Sequence, residues 1–127
     1  VMSRGLGDVY KRQDINIGEK WSLERVNELR NEKRNILLNF TADWCLTCKV
    51  NERMVLSSKE FISMIENGEI AYLVADWTKY DPQITEELEK YKRAGVPLYL
   101  YWSQGSDEVK ILPAVLTKSI LYDHLKL

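Results

Sequence analysis

Ile36-Leu37-Leu38-Asn39-Phe40-Thr41-Ala42-Asp43-Trp44-Cys45-Leu46-Thr47-Cys48-Lys49 decides how this chain is read. An apolar run leads directly into the only two cysteines, with two residues between them, in 127 residues. If Ile36 to Phe40 is a buried strand and Cys45 opens the next helix, its sulfur sits over unpaired backbone N–H groups at the positive end of a helix dipole. The thiolate is then favoured over the thiol. That makes Cys45 the attacking nucleophile, and Cys48, one turn further on, can resolve a mixed disulfide.

Two other uses of a Cys-x-x-Cys pair fit less well. A structural zinc site needs four ligands, yet the chain has no further cysteine and its single histidine, His124, lies near the C-terminus. A purely structural disulfide here closes so short a loop that it constrains little unfolded-chain entropy. Redox chemistry is the usual meaning of the motif beside a βαβ pattern. It calls for no metal, nucleotide or flavin.

The composition suits one small domain with a single core: 45% of residues are hydrophobic and the net charge is −1. Both signs of charge are interspersed, without the basic stripe that would neutralise nucleic-acid phosphates. No apolar stretch approaches the roughly 20 residues that span a bilayer. Residues 1–13, VMSRGLGDVYKRQ, have no periodic apolar face and neither the apolar segment nor the cleavage site of a signal peptide. They are expected to be a non-native or disordered leader, with the domain proper at 14–127. Removing Arg4, Lys11, Arg12 and Asp8 leaves 15 basic and 18 acidic residues, a net of −3.

Working outward from the cysteines, Ser22 can cap a helix over about Leu23 to Lys33, with Leu23, Val26 and Leu29 on one face. After Cys48 a helix continues to about Val55, and Ser57 with Glu60 reads as a capping box for a segment carrying Phe61, Met64 and Ile65. Gly68 should stop it. Ile70 to Ala75 is nearly all apolar, as a strand covered on both faces should be. Asp81-Pro82 supplies an N-cap and a first-turn proline for a helix whose inner face is Ile84, Leu88 and Tyr91, with Gly95 as its end. Pro97 to Trp102 and Val109 to Leu112 form a hairpin around a polar loop at 103–108, and Thr117 caps a last helix to about Lys126. The order α-β-α-β-α-β-β-α implies an α/β fold with a mixed four-stranded sheet and helices on both faces. Cys45 then lies beyond the carboxyl end of its strand, where such sheets place their sites.

This order, with Cys-x-x-Cys at the first strand-to-helix junction and Gly95-Val96-Pro97 before the hairpin, resembles the thioredoxin fold. More narrowly, the blocks from Phe40 to Glu52, Ala75-Asp76-Trp77-Thr78 and Gly95-Val96-Pro97-Leu98-Tyr99 resemble the C-terminal periplasmic domain of DsbD and ScsB type thiol:disulfide interchange proteins. The resemblance runs from about Trp21 to Leu127. It implies that Cys45 and Cys48 are the redox pair. It also implies a periplasmic domain tethered to the inner membrane, with a membrane-embedded redox domain as electron donor and periplasmic thioredoxin-fold proteins as acceptors, in a process that can include cytochrome c biogenesis.

Further expectations attach to single residues. A proline before a strand cannot donate to the ladder, and the Val96-Pro97 bond can be held cis by the fold; the resemblance to thioredoxin-like proteins implies that this peptide faces the disulfide and that the Val96 backbone can pair with a substrate strand. An ordinary edge proline is the plainer alternative. Asn39 departs from the family pattern, which has a buried acid there to move protons at the resolving cysteine. An asparagine cannot titrate. Glu52, four residues after Cys48, could instead accept the Cys48 proton, or be only a solvated charge. Trp44 is expected to be a wall of the site and Lys49 a solvated charge near the helix start. Two rivals stay open: a free-standing thioredoxin fed by a soluble reductase, and a thioredoxin-scaffold module that binds or helps fold clients.

Overall fold

The computed structural model describes residues 18–125, so the expected leader and the expected helix end at Lys126 lie outside the described residues. In chain order the elements are β1 (Glu19–Lys20), α1 (Leu23–Asn31), β2 (Ile36–Thr41), α2 (Leu46–Met54), α3 (Lys59–Glu66), β3 (Ala71–Asp76), α4 (Pro82–Lys90), β4 (Leu98–Trp102), β5 (Val109–Leu112) and α5 (Lys118–Leu125). The strands form one sheet in the order β1-β3-β2-β4-β5. It has five strands where four were expected. The extra one, β1, is a two-residue edge strand parallel to β3, with Glu19 beside Leu73 and Lys20 beside Val74. Two residues are too few to carry an alternating pattern, so the sequence gives no signal for it.

Strand β2 is central and all six of its residues are buried, which is why it reads as an uninterrupted apolar run. It runs parallel to β3, with Ile36 beside Ala71 and Thr41 beside Asp76, and antiparallel to β4, with Ile36 beside Trp102 and Phe40 beside Leu98. Side chains alternate across it. Ile36, Leu38 and Phe40 join Val26 and Leu29 of α1 and Ile84 and Leu88 of α4 in one core. Leu37 joins Phe61, Tyr72, Tyr99, Tyr101, Leu121 and Leu125 in the other, beneath α3 and α5.

Local chemistry sets the helix ends. Ser22 accepts from Arg25 N at 3.0 Å, Asp81 from Gln83 N at 2.8 Å and Thr117 from Ile120 N at 3.0 Å, as the sequence predicts. Three expectations are corrected. Ser58, and not Ser57, caps α3 by accepting from Phe61 N, while the Ser57 hydroxyl donates back to Arg53 O. Helix α4 ends before Gly95: Lys92 takes the left-handed turn at φ 59°, and Arg93 N closes onto Leu88 O. Leu23 is exposed, so the inner face of α1 is carried by Val26 and Leu29. Gly68, at φ 76°, does end α3, with the Glu69 N–H bonded to Met64 O.

Candidate active site

The register brings three connections to one pole of the sheet. Because β2 and β3 run parallel and β4 antiparallel, the loop after Thr41, the loop after Asp76 and the approach to Leu98 all emerge at the same end. Ala42, Cys45 and Cys48 make a small buried cluster there, with the half-buried Val96 packed against it. Cys45 and Cys48 are joined in a disulfide, their Cα atoms 5.3 Å apart. The Val96–Pro97 bond is cis, and Val96 lies just ahead of Leu98, the first β4 residue in ladder register.

Cys45 is the N-cap of α2 and its sulfur accepts from Cys48 N at 3.2 Å. The sequence expects the sulfur at a helix tip, and the cap geometry supplies the donor, which is equally placed to stabilise a thiolate once the bond is reduced. Cys48, one turn inward, is completely buried, whereas 7% of Cys45 remains exposed. Of the two cysteines only Cys45 keeps any exposure to solvent.

An aromatic ledge stands beside this tip. Trp44, half exposed, stacks on Tyr80 at 5.7 Å and packs against Trp77 at 5.9 Å. Trp77 meets Tyr80 edge-on at 5.0 Å. Thr78 fastens the two loops: its hydroxyl oxygen accepts from Asp43 N at 2.9 Å, its carbonyl from Trp44 Nε1 at 3.1 Å, and both its N–H and its hydroxyl donate to the Asp76 carboxylate. Tyr80 sits in the left-handed region at φ 57°, a cost of roughly 1–2 kcal/mol that the two ring contacts help to offset. Leu46, Val50 and Met54, spaced by four along α2, are all exposed and form an aliphatic ridge that begins at the residue after Cys45. Thr78 and Tyr80 were not among the residues singled out by sequence. Asp76-Trp77-Thr78 is visible as a block, but nothing in its spacing says that it meets Trp44.

A cluster of polar groups links β2 and β3 to α2, the helix that carries both cysteines at its start. Asn39 is fully buried on β2, and its Nδ2 donates to Glu52 Oε2 at 3.0 Å and to the Tyr72 hydroxyl at 2.9 Å. The Glu52 side chain is 14% exposed and its other oxygen pairs with Lys49 Nζ at 3.0 Å. Lys49 also reaches toward Asp43 at 3.8 Å. Glu52 is therefore held between a buried amide and a half-buried ammonium group. Burial pushes the Tyr72 and Tyr99 phenols up, so both stay neutral. Asn51, also missed by sequence, is buried next to them: Nδ2 donates to Tyr99 OH and Ala114 O, each at 2.8 Å, and Oδ1 accepts from Leu116 N at 3.1 Å.

The arrangement is equipped for dithiol–disulfide exchange: a helix-tip sulfur on the less buried cysteine, a second sulfur within bonding reach, and exposed apolar side chains nearby. Known proteins agree with it. Over 79 residues, 61% of this chain, the sequence is 34% identical to the thiol:disulfide interchange protein DsbD of Photorhabdus laumondii. Over 81 residues, 64% of the chain, it is 33% identical to DsbD 1 of Pseudomonas aeruginosa. Either match takes up 13% of the relative's length. The fold is similar to that of the DsbD C-terminal domain of Neisseria meningitidis in the oxidised form, with a TM-score of 0.63 at 17% identity, covering 84% of this chain and 97% of that one. A thioredoxin from Thermus thermophilus gives a TM-score of 0.66 at 14% identity, over 86% of this chain and 85% of its own. The thioredoxin-like family model matches residues 18–103, two-thirds of the sequence, and the chain belongs to that family.

Proposed function

We propose that this chain is a thiol–disulfide oxidoreductase domain of the DsbD type, passing electrons through Cys45 and Cys48 to protein disulfides. The observation that carries the reading is the Cys45–Cys48 disulfide at the N-cap of α2, with Cys45 the less buried of the two and Val96, ahead of the cis Pro97, packed against the pair. In the reduced protein the Cys45 thiolate attacks one sulfur of a partner disulfide. A Cys45–partner bond forms, the partner bond breaks, and the leaving sulfur takes up a proton. Cys48 then loses its proton and attacks Cys45 Sγ, which expels the second partner sulfur and leaves the disulfide present in the structure. Two electrons pass to the partner, and the domain must be reduced again before the next turnover.

Glu52 accepts the Cys48 proton in this scheme. Its support is position: one turn after Cys48 on α2, partly open to solvent and held at both oxygens. Val96 offers backbone to an incoming strand, and Trp44 and Leu46, exposed on either side of Cys45, suit a protein partner with apolar surface around its disulfide. The similarity to DsbD proteins supports the finer placement. The domain works in the periplasm, tethered to the inner membrane, takes electrons from a membrane-embedded redox domain and gives them to periplasmic thioredoxin-fold proteins, including those serving cytochrome c biogenesis. Among the described residues no helix is long and apolar enough to cross a membrane.

Insulin reduction driven by dithiothreitol tests the activity. Wild type should accelerate it and Cys45→Ser should lose the acceleration. Equal rates with both would leave only a binding module on this scaffold.

A further inference from the structure

Position 39 carries an amide where the resembled family has an acid, and that amide makes two specific bonds. Both hydrogens of Asn39 Nδ2 are used, on Glu52 Oε2 and on the Tyr72 hydroxyl, while its Oδ1 is buried without a partner among the described residues. Turning the amide over would set its oxygen against a carboxylate oxygen. The carboxylate, which can only accept, therefore fixes the orientation, and an unpaired carbonyl is the consequence. Tyr72 is buried, at 4% exposure: its ring packs edge-on against Phe61 at 5.1 Å and projects from β3 diagonally across from Asn39. A buried phenol holds a buried amide, and the amide holds one oxygen of Glu52.

We propose that Tyr72, acting through Asn39, is a positioning residue that aims the Glu52 carboxylate for proton exchange at Cys48. This rests on the role proposed above for Glu52. A side chain on the outer part of a helix can otherwise choose among several rotamers, and Lys49, on the same helix, would draw the carboxylate toward solvent. The bond from Asn39 pulls the other oxygen inward. The charged and titratable groups around Glu52 are Lys49 and Cys48 on α2, Tyr72 on β3 and Tyr99 on β4. Both tyrosines are neutral, so in the second step, with Cys45 held in the mixed disulfide, the charges that bear on Glu52 are those of Cys48 and of Lys49, which Asp43 shares at 3.8 Å.

The two steps can be timed separately with dithionitrobenzoate as the disulfide. Attack by Cys45 releases one thionitrobenzoate and leaves the other on Cys45; attack by Cys48 on Cys45 Sγ then releases the second. Tyr72→Phe keeps the ring and removes the hydroxyl. The expected result is an unchanged first release, a second release slowed about fivefold, and a displaced pH profile for the second step alone. In a Glu52→Gln background, Tyr72→Phe should add nothing. A second release in Tyr72→Phe that matches wild type in rate and pH profile, with Glu52→Gln still slow, would overturn the positioning role and spare the Glu52 reading. No effect of Glu52→Gln would overturn both. Equal slowing by Tyr72→Phe with and without Glu52 would show that the phenol acts by another route. Asn39→Ser, too short to span Glu52 and Tyr72, should reproduce the Tyr72→Phe effect, and thermal unfolding of each variant separates a change in the step from loss of fold.

Discussion

At the scale of residues, two cysteines three positions apart have unlike surroundings. Cys45 caps a helix and keeps some exposure to solvent; Cys48 is the residue whose N–H serves that cap, and it is fully buried. A thiolate at the tip gains an N–H donor and the helix dipole, so Cys45 should be the more acidic thiol of the reduced protein. Brief treatment of reduced protein with iodoacetamide near neutral pH should therefore modify Cys45 at least about tenfold faster than Cys48, as read by peptide mass mapping. Faster labelling of Cys48 would reverse the assigned roles. This much was legible in the sequence, because an apolar run followed by Cys-x-x-Cys already specifies a strand, a helix start and which sulfur comes first. The partners of Glu52 were not. That Asn39 would touch both Glu52 and Tyr72 depends on the register of β2 against β3 and on which side of the sheet α2 lies, and neither is written in local spacing.

At the scale of elements, α2 carries the chemistry outward and its anchorage inward. Asn51 is three residues beyond Cys48, and its amide ties α2 to Tyr99 of β4 and to the segment before α5 through three hydrogen bonds. Asn51→Leu would leave the Tyr99 hydroxyl and Leu116 N buried without their partner, at a cost of about 3 kcal/mol, measurable as a lower midpoint of urea unfolding. An unchanged midpoint would mean that α2 is held by its apolar contacts alone. The sheet face beneath α2 also carries Tyr72, Tyr99 and Tyr101, all with pKa values raised by burial. In the unfolded chain these phenols ionise near the ordinary value of about 10, whereas in the folded protein they keep their protons. Above that pH the unfolded state binds fewer protons, so stability falls as pH rises; below it both states are protonated and the contribution is constant. The urea midpoint should drop beyond about pH 10, and less steeply in Tyr72→Phe. Helix caps such as Ser22, Asp81 and Thr117 were legible because a side chain three or fewer residues away decides them. Lys92 as the end of α4 was not, since a left-handed lysine leaves no mark in sequence where Gly95 offers an obvious but unused stop.

At the scale of the whole molecule, the sheet order decides what a partner meets. With β2 central, its carboxyl end is flanked by the loop of Trp77, Thr78 and Tyr80 on one side and by Val96-Pro97 on the other, so the disulfide is framed by residues far apart in sequence. The α/β class and the position of Cys45 followed from element order, but the edge strand β1 and the aromatic ledge exist only through tertiary pairing. Fold alone does not set the direction of electron flow, because proteins on nearly this scaffold span about −270 to −120 mV. On the proposed reading, in which the domain takes electrons from a membrane-embedded partner and passes them to other proteins, its potential must fall between those limits: able to donate to client disulfides, yet not so reducing that it cannot be recharged. Equilibration with glutathione, read by the fraction of Cys45–Cys48 disulfide, should give a potential inside that range. Cys48→Ser removes the sulfur that ends the mixed-disulfide stage, so this variant, displayed in a bacterial periplasm, should accumulate Cys45-linked adducts with thioredoxin-fold proteins that reductant releases. A potential at the oxidising limit, together with failure to reduce any such protein, would end the assignment as a reducing relay while leaving Cys45 as the nucleophile.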